Sequence, residues 1–114
     1  MSVPSAKHRN FFQDVFDVVR LIPPGRVTSY GAIAHYLGAK NGARMVGWAM
    51  MAAHTETGVP AHRVLNRQGL LTGRQHYPTP TAMQDALATE GVRVVDDQVQ
   101  DFNRLFWDPS VELA

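Results

Sequence analysis

The chain has no cysteine, and that absence removes disulfides, thiolate metal sites and thiol nucleophiles together. Long apolar runs are missing too. No stretch of about 20 residues reads as a membrane span, and Met1-Ser2-Val3-Pro4-Ser5-Ala6 lacks the apolar centre of a secretory signal. We therefore expect a soluble intracellular protein with no membrane partner. The histidines do not replace the missing thiolates: His8, His35, His54, His62 and His76 show no two-ligand spacing on a helix face or tight turn, so neither a metal nor another cofactor is expected. What remains is one domain over residues 1–114, long enough to bury roughly two-thirds of its unfolded surface in a single core.

Strong net charge is also lacking, since the total is +1, but the two signs are segregated. Residues 1–80 hold nine Lys/Arg against three Asp/Glu, a net of +6, whereas residues 81–114 hold two against seven, a net of −5. That asymmetry suits a polyanionic partner on the N-terminal side, with an acidic remainder kept clear of phosphate; scattered solvated charge accounts for it equally well.

Phe11, Phe12, Val15, Phe16 and Val19 recur at helical spacing and predict an amphipathic helix over about 6–21, stopped by Pro23-Pro24-Gly25. Thr28 or Ser29 would cap a second helix with Ile33, Ala34 and Leu37 inward and Gly38 at its end. A third helix carries Val46, Ala49, Met50 and Ala53 on one side, making a helix-turn-helix candidate over about 29–53. Arg63-Val64-Leu65, a turn at Asn66–Gly69 and Leu70-Leu71 read as a small β-hairpin, followed by a Thr/Gly/Pro-rich loop. Thr81 starts a helix through Met83, Ala86, Leu87 and Glu90, closed by Gly91, and Val92–Val95 is extended. Phe102, Leu105, Phe106 and Trp107 would pack on the core, and Asp108-Pro109 would end the ordered chain. The expected fold is thus mainly α with a small β-hairpin.

Five sequence features fall in an order that matters more than any one of them. They are Ile22-Pro23-Pro24-Gly25-Arg26-Val27-Thr28-Ser29-Tyr30-Gly31, Arg44-Met45-Val46-Gly47, Pro60-Ala61-His62-Arg63-Val64, the turn glycine Gly69, and Glu90-Gly91-Val92. In order and spacing they resemble the DNA-binding domain of the O6-alkylguanine-DNA alkyltransferases over roughly residues 10–95. Alanine stands where the Pro-Cys-His-Arg-Val motif of that family has its nucleophile. With Arg74 in the loop over about 69–80, the chain is most similar to the alkyltransferase-like proteins.

The resemblance implies a winged-helix-like helix-turn-helix domain of the alkyltransferase C-terminal type, whose recognition helix enters the minor groove. It implies that Arg44 fills the space of an extruded nucleotide, that Tyr30 stands against the neighbouring phosphate, and that Ser29, Ala43 and Gly47 lie on the DNA-binding face, with Met45 an apolar wedge. The pocket motif 60–64 then supplies the lesion pocket: Ala61 as a floor widened by the missing thiol, Met50 and Val64 as walls, Pro60 shaping the backbone, Arg74 stacking on the base and Gln75 adding a hydrogen bond. His62 and Glu90 would be the rest of a Cys-His-Glu arrangement, kept for structure, since a methyl group has no lone pair to attack with. Lys40, Arg26, Arg63 and Arg67 are candidate phosphate contacts.

The expected function is a non-enzymatic damage sensor, acting as a monomer, that binds double-stranded DNA containing O6-alkylguanine, flips the base and flags it to nucleotide excision repair proteins. Its place would be the cytoplasm, nucleoid-associated, or the nucleus in a eukaryotic cell. Three alternatives stay open at this point: a Cys-to-Ala form of a genuine alkyltransferase, a helix-turn-helix transcriptional regulator, and an enzyme whose route is not visible in the residues. A regulator would need groove-reading polar side chains, which Ala43–Ala53 has few of.

Overall fold

The structure is a computed structural model describing residues 4–39 and 41–114; Lys40, expected on phosphate, lies outside the described residues. Helix α1 (Pro4–Arg20) buries Val15, Phe16, Val18 and Val19, with Phe11 and Phe12 packed at the margin of the same cluster. Its last turn is tied down by Arg20, which donates to the Asp17 carboxylate and to the Thr57 carbonyl, both at 3.2 Å. After the Pro23–Gly25 turn come β1 (Thr28–Ser29) and α2 (Tyr30–Tyr36). Ser29 settles the choice of cap: its hydroxyl accepts from the Ala32 amide at 3.1 Å, while Thr28 is wholly buried in the strand. Gly38, at φ +71°, ends this segment, and α3 (Ala43–Ala52) follows, with α2 and α3 packed on one another.

Gly42, at the start of α3, is a position where only glycine fits. A Cβ there would stand 2.6 Å from the Ala39 Cβ and 2.7 Å from its carbonyl oxygen, so the turn closes on the helix start at a distance no side chain tolerates. Val46, Ala49, Met50 and, just beyond the helix, Ala53 face inward, as their spacing predicts.

Strand β2 (Val64–Leu65) pairs in parallel with β1, Thr28 opposite Val64 and Ser29 opposite Leu65. On the other side of this pair, Val27 donates to the Leu105 carbonyl at 3.1 Å and accepts from Trp107 at 2.7 Å. Because side chains alternate across a strand, Val64 joins the cluster built by α1, α2 and α3, while Leu65 joins a second cluster of Val27, Leu71, Met83, Leu87, Val92 and Val99. The short strand therefore stands between two cores, and the pocket motif enters it from one end.

The expected β-hairpin is present, but elsewhere in the chain. Val64 and Leu65 are committed to β1, and the Asn66 side chain accepts from the Gln68 and Leu70 amides, each at 2.9 Å, which makes a side-chain-held turn in place of a strand ladder. The hairpin forms between β3 (Val94–Val95) and β4 (Gln98–Val99), joined by Asp96 and Asp97 at φ 51° and 61°, the left-handed pair a two-residue turn demands. Helix α4 (Ala82–Ala88) precedes it. A second correction concerns the C-terminus: the chain does not lose order at Asp108-Pro109. After α5 (Phe102–Leu105), the Asp108 carboxylate caps the Ser110 amide at 3.0 Å and Pro109 opens α6 (Pro109–Glu112), which packs against α2. Trp107, immediately before it, is buried in the first core.

Candidate nucleic-acid interface

Helix α3 turns Ala43, Arg44, Trp48 and Met51 outward, Trp48 at 51% and Met51 at 48% exposure. Positions 44, 48 and 51 follow one another at helical spacing, so one stripe carries a cation, an indole and a thioether. Arg44 has no salt-bridge partner among the described residues. Gly47 lies beside this stripe, and a Cβ there would meet nothing within 4 Å. Internal packing thus requires glycine at 42 but not at 47.

Behind the stripe is a cavity of about 360 Å³. Its walls come from α3 (Arg44, Gly47, Trp48, Met50, Met51), from His54 just after it, from Tyr30 on α2, from Ala61 and Val64, from Thr72, Gly73, His76 and Tyr77, and from Met83 on α4. Met50 belongs to one core and Met83 to the other, so the cavity opens where the two halves meet. The Tyr30 and Thr72 hydroxyls share a hydrogen bond at 3.3 Å, which joins α2 to the loop over the cavity. His54 and Tyr77 meet edge to face, centroids 4.7 Å apart and planes at 87°.

The pocket motif is held from behind by one carboxylate. Glu90 accepts from His62 Nε2 at 2.8 Å, from Arg63 Nη2 at 2.6 Å and Nε at 3.0 and 3.1 Å, and from the Gly25 amide at 3.1 Å. Arg63 also donates to the Ile22 carbonyl at 2.8 Å. Burial pushes the Glu90 carboxyl up, but the hydrogen bonds from Arg63 and His62 and from the Gly25 amide outweigh it and hold the group at about 2 instead of 4.5. An ionised Glu90 only accepts, so the geometry assigns a proton to His62 Nε2. Nothing in this cluster points a lone pair at the cavity: Ala61 lines it, while Pro60 and His62 line a groove on another side with Arg20.

Of the residues singled out in the sequence, Tyr30, Ala43, Arg44, Gly47, Met50, Ala61 and Val64 converge on the cavity. Ser29 does not, since it is 6% exposed and its hydroxyl is occupied by the α2 cap. Met45 is half-buried and outside the lining. Arg74 and Gln75 border neighbouring grooves, and Arg74 faces Asp97 at 3.4 Å; from the short 3₁₀ turn Arg74–His76 and the residue after it, it is the exposed His76 and the half-buried Tyr77 that line the cavity. Arg26 is withdrawn from the phosphate contacts: it donates to the Leu105 and Phe106 carbonyls at 2.9 and 2.7 Å and pins the C-terminal segment. Arg63 is likewise consumed by Glu90, whereas Arg67 is exposed. Sequence reasoning missed Met51, His54, Thr72, His76, Tyr77 and Met83, and did not place Trp48 at the pocket. Helical spacing from Arg44 was enough to find Trp48 and Met51; nothing local marks the others.

Residues 10–92 match the family described as 6-O-methylguanine DNA methyltransferase, DNA binding domain. The chain is also 37% identical over 103 residues to alkyltransferase-like protein 1 of Schizosaccharomyces pombe, covering 87% of this chain and 95% of that protein. This chain belongs to the alkyltransferase-like family. A DNA base-flipping protein of Escherichia coli is 36% identical over 104 residues, covering 90% of this chain and 78% of its own length. The crystal structure of S. pombe Atl1 in complex with damaged DNA containing O6-carboxymethylguanine superposes with a TM-score of 0.80 at 34% identity, covering 96% of this chain and 100% of that one. The alkyltransferase-like fold is therefore present here, and with no cysteine in its sequence the chain lacks the thiol on which alkyl transfer in the wider family depends. Among the described residues no helix is long and apolar enough to cross a membrane, and no group of His, Asp or Glu is arranged to hold a metal.

Proposed function

We propose that this alkyltransferase-like chain binds duplex DNA containing O6-alkylguanine, rotates the damaged base into the cavity above Ala61, and holds it there unrepaired. The observation that carries this reading is the cavity itself: about 360 Å³, apolar at Ala61, Val64, Met50 and Met83, and opening beside Arg44, which has no salt-bridge partner among the described residues, on an exposed helix face. That volume lies in the range of small-molecule sites, and the methyl of Ala61 leaves room for adducts larger than a methyl group. The α2–α3 pair docks as a helix-turn-helix with α3 in the minor groove, where the absence of any internal need for Gly47's small size supports close backbone approach.

Unstacking a base costs a few kcal/mol, offset here by Arg44 stacking into the vacated space, by phosphate contacts including Tyr30, and by burial of the adduct. Arg74, whose contact to Asp97 is half-exposed and weak, is the cation available to turn onto the extruded base, with Gln75 beside it. Finger, floor and loop all belong to one chain, so a monomer suffices. Held without repair, the extruded base becomes a mark for nucleotide excision repair proteins, the outcome that likeness to the alkyltransferase-like proteins implies. A sequence-reading regulator is less well supported, because α3 exposes one polar side chain suited to base edges, Arg44, in its first two turns.

The finger is tested by base extrusion. With a fluorescent base analogue stacked beside O6-methylguanine, wild type should unquench the probe. Arg44→Ala should reduce both that signal and affinity, by roughly 10-fold, because a charged stacking and hydrogen-bonding group is lost. Unchanged extrusion in the variant would remove Arg44 from the role.

A further inference from the structure

The polar side chains on the cavity wall are Tyr30, Arg44, His54, Thr72, His76 and Tyr77. Every one of them can donate a hydrogen bond, and among the described residues no aspartate or glutamate lines the cavity. They are not equally available. Tyr30 and Thr72 engage one another at 3.3 Å, and Arg44 stands at the mouth on the exposed face of α3. Tyr77 is half-buried, fixed edge-on against His54 at 4.7 Å, and its hydroxyl has no hydrogen-bond partner among the described residues. Burial, and then Tyr30 beside it, push the Tyr77 phenol up to about 12, so it keeps its proton and remains a donor.

We infer that Tyr77 is a specificity-determining donor: it favours guanine adducts that end in a carboxylate or carbonyl oxygen over hydrocarbon adducts of the same size. The inference rests on the lesion-binding reading above. A base and its adduct entering the cavity displace the water that otherwise serves the phenol. An acceptor oxygen replaces that water, whereas a hydrocarbon leaves the hydroxyl buried and unpaired. Sites built around a hydrogen bond discriminate strongly against analogues lacking it, while apolar walls such as Met50, Met83 and Val64 sense only size. The edge-to-face contact with His54 limits the phenol's rotation and so fixes where the acceptor must lie.

The test uses the full chain and three duplexes of one sequence, carrying O6-carboxymethylguanine, O6-isobutylguanine or guanine at the same position. Carboxymethyl and isobutyl have the same heavy-atom count and branching. Wild type should bind the carboxymethyl duplex about 10-fold more tightly than the isobutyl one, the scale of one hydrogen bond to a charged group. Tyr77→Phe, which keeps the ring and its contact with His54, should bring that ratio near one, chiefly by tightening isobutyl binding, because no unpaired hydroxyl is left buried against the hydrocarbon. A ratio unaltered in Tyr77→Phe, equal losses on both adducts, or wild-type preference for isobutyl would each overturn the assignment. Failure of wild type to prefer either adduct over guanine would instead refute lesion binding itself, so the two failures are distinguishable.

Discussion

Glu90 joins three stretches that are far apart in sequence: the Pro23–Gly25 turn through the Gly25 amide, the pocket motif through His62 and Arg63, and the turn that follows α4, where it resides. Its carboxyl is held at about 2, below the ordinary 4.5, so its contribution to stability is fully present above about pH 4.5 and is lost as the pH falls towards 2. Unfolding monitored by circular dichroism should show wild type weakening over that window. Glu90→Gln should be less stable at pH 7 and should show a flatter response to acid; an unchanged acid profile would mean that Glu90 is not the linked group. Thr28 presents the opposite case, a residue whose chemistry is unspent. It is wholly buried and its hydroxyl has no partner among the described residues, so the desolvation of that group is uncompensated. Thr28→Val keeps the branched shape suited to β1 and should raise stability by about 1 kcal/mol in a denaturant titration.

Among the elements, α3 shows a conflict between stability and use. A glycine inside a helix costs roughly 0.5–1 kcal/mol relative to alanine, and at Gly47 nothing within 4 Å would oppose the added methyl. Gly47→Ala should therefore stabilise the fold by about that amount while weakening DNA binding, because the face it widens is the one the proposed function sets against the minor groove. Equal or tighter binding by the stabilised variant would place the DNA elsewhere. The same helix shows how far sequence reaches. The inward positions Val46, Ala49, Met50 and Ala53 are legible from periodicity, and Gly38 as a stop from its residue type, whereas the cap is legible only as Thr28 or Ser29 until the structure chooses Ser29. Where tertiary pairing decides, local signals mislead: Val64-Leu65 has strand character, but its partner is Thr28-Ser29, far away in the chain, and Asn66 spends its side chain on the turn. The Asp108-Pro109 pair carried a helix-start signal that reads equally as a chain end.

For the whole molecule, the pocket is a product of topology. Ala61, Arg44 and Tyr30 were legible from ordered motifs, but His54, Tyr77 and Met83 reach the cavity only because two cores meet across β2. Arg26 illustrates the converse: a cation that reads as a phosphate contact in sequence is spent on the C-terminal carbonyls, and only the folded chain reveals it. Deletion of the thiol leaves a formed cavity and its supporting Glu90 network, so the predicted activity ends at capture of the base. The most direct test is an equilibrium titration of the protein against two duplexes that differ only in guanine or O6-methylguanine at one position, followed by mass analysis of the recovered DNA. The account predicts tighter binding to the modified duplex, by at least about 10-fold, with the methyl group still on the DNA. Equal affinity for both duplexes, or recovered DNA lacking its methyl group, would contradict it.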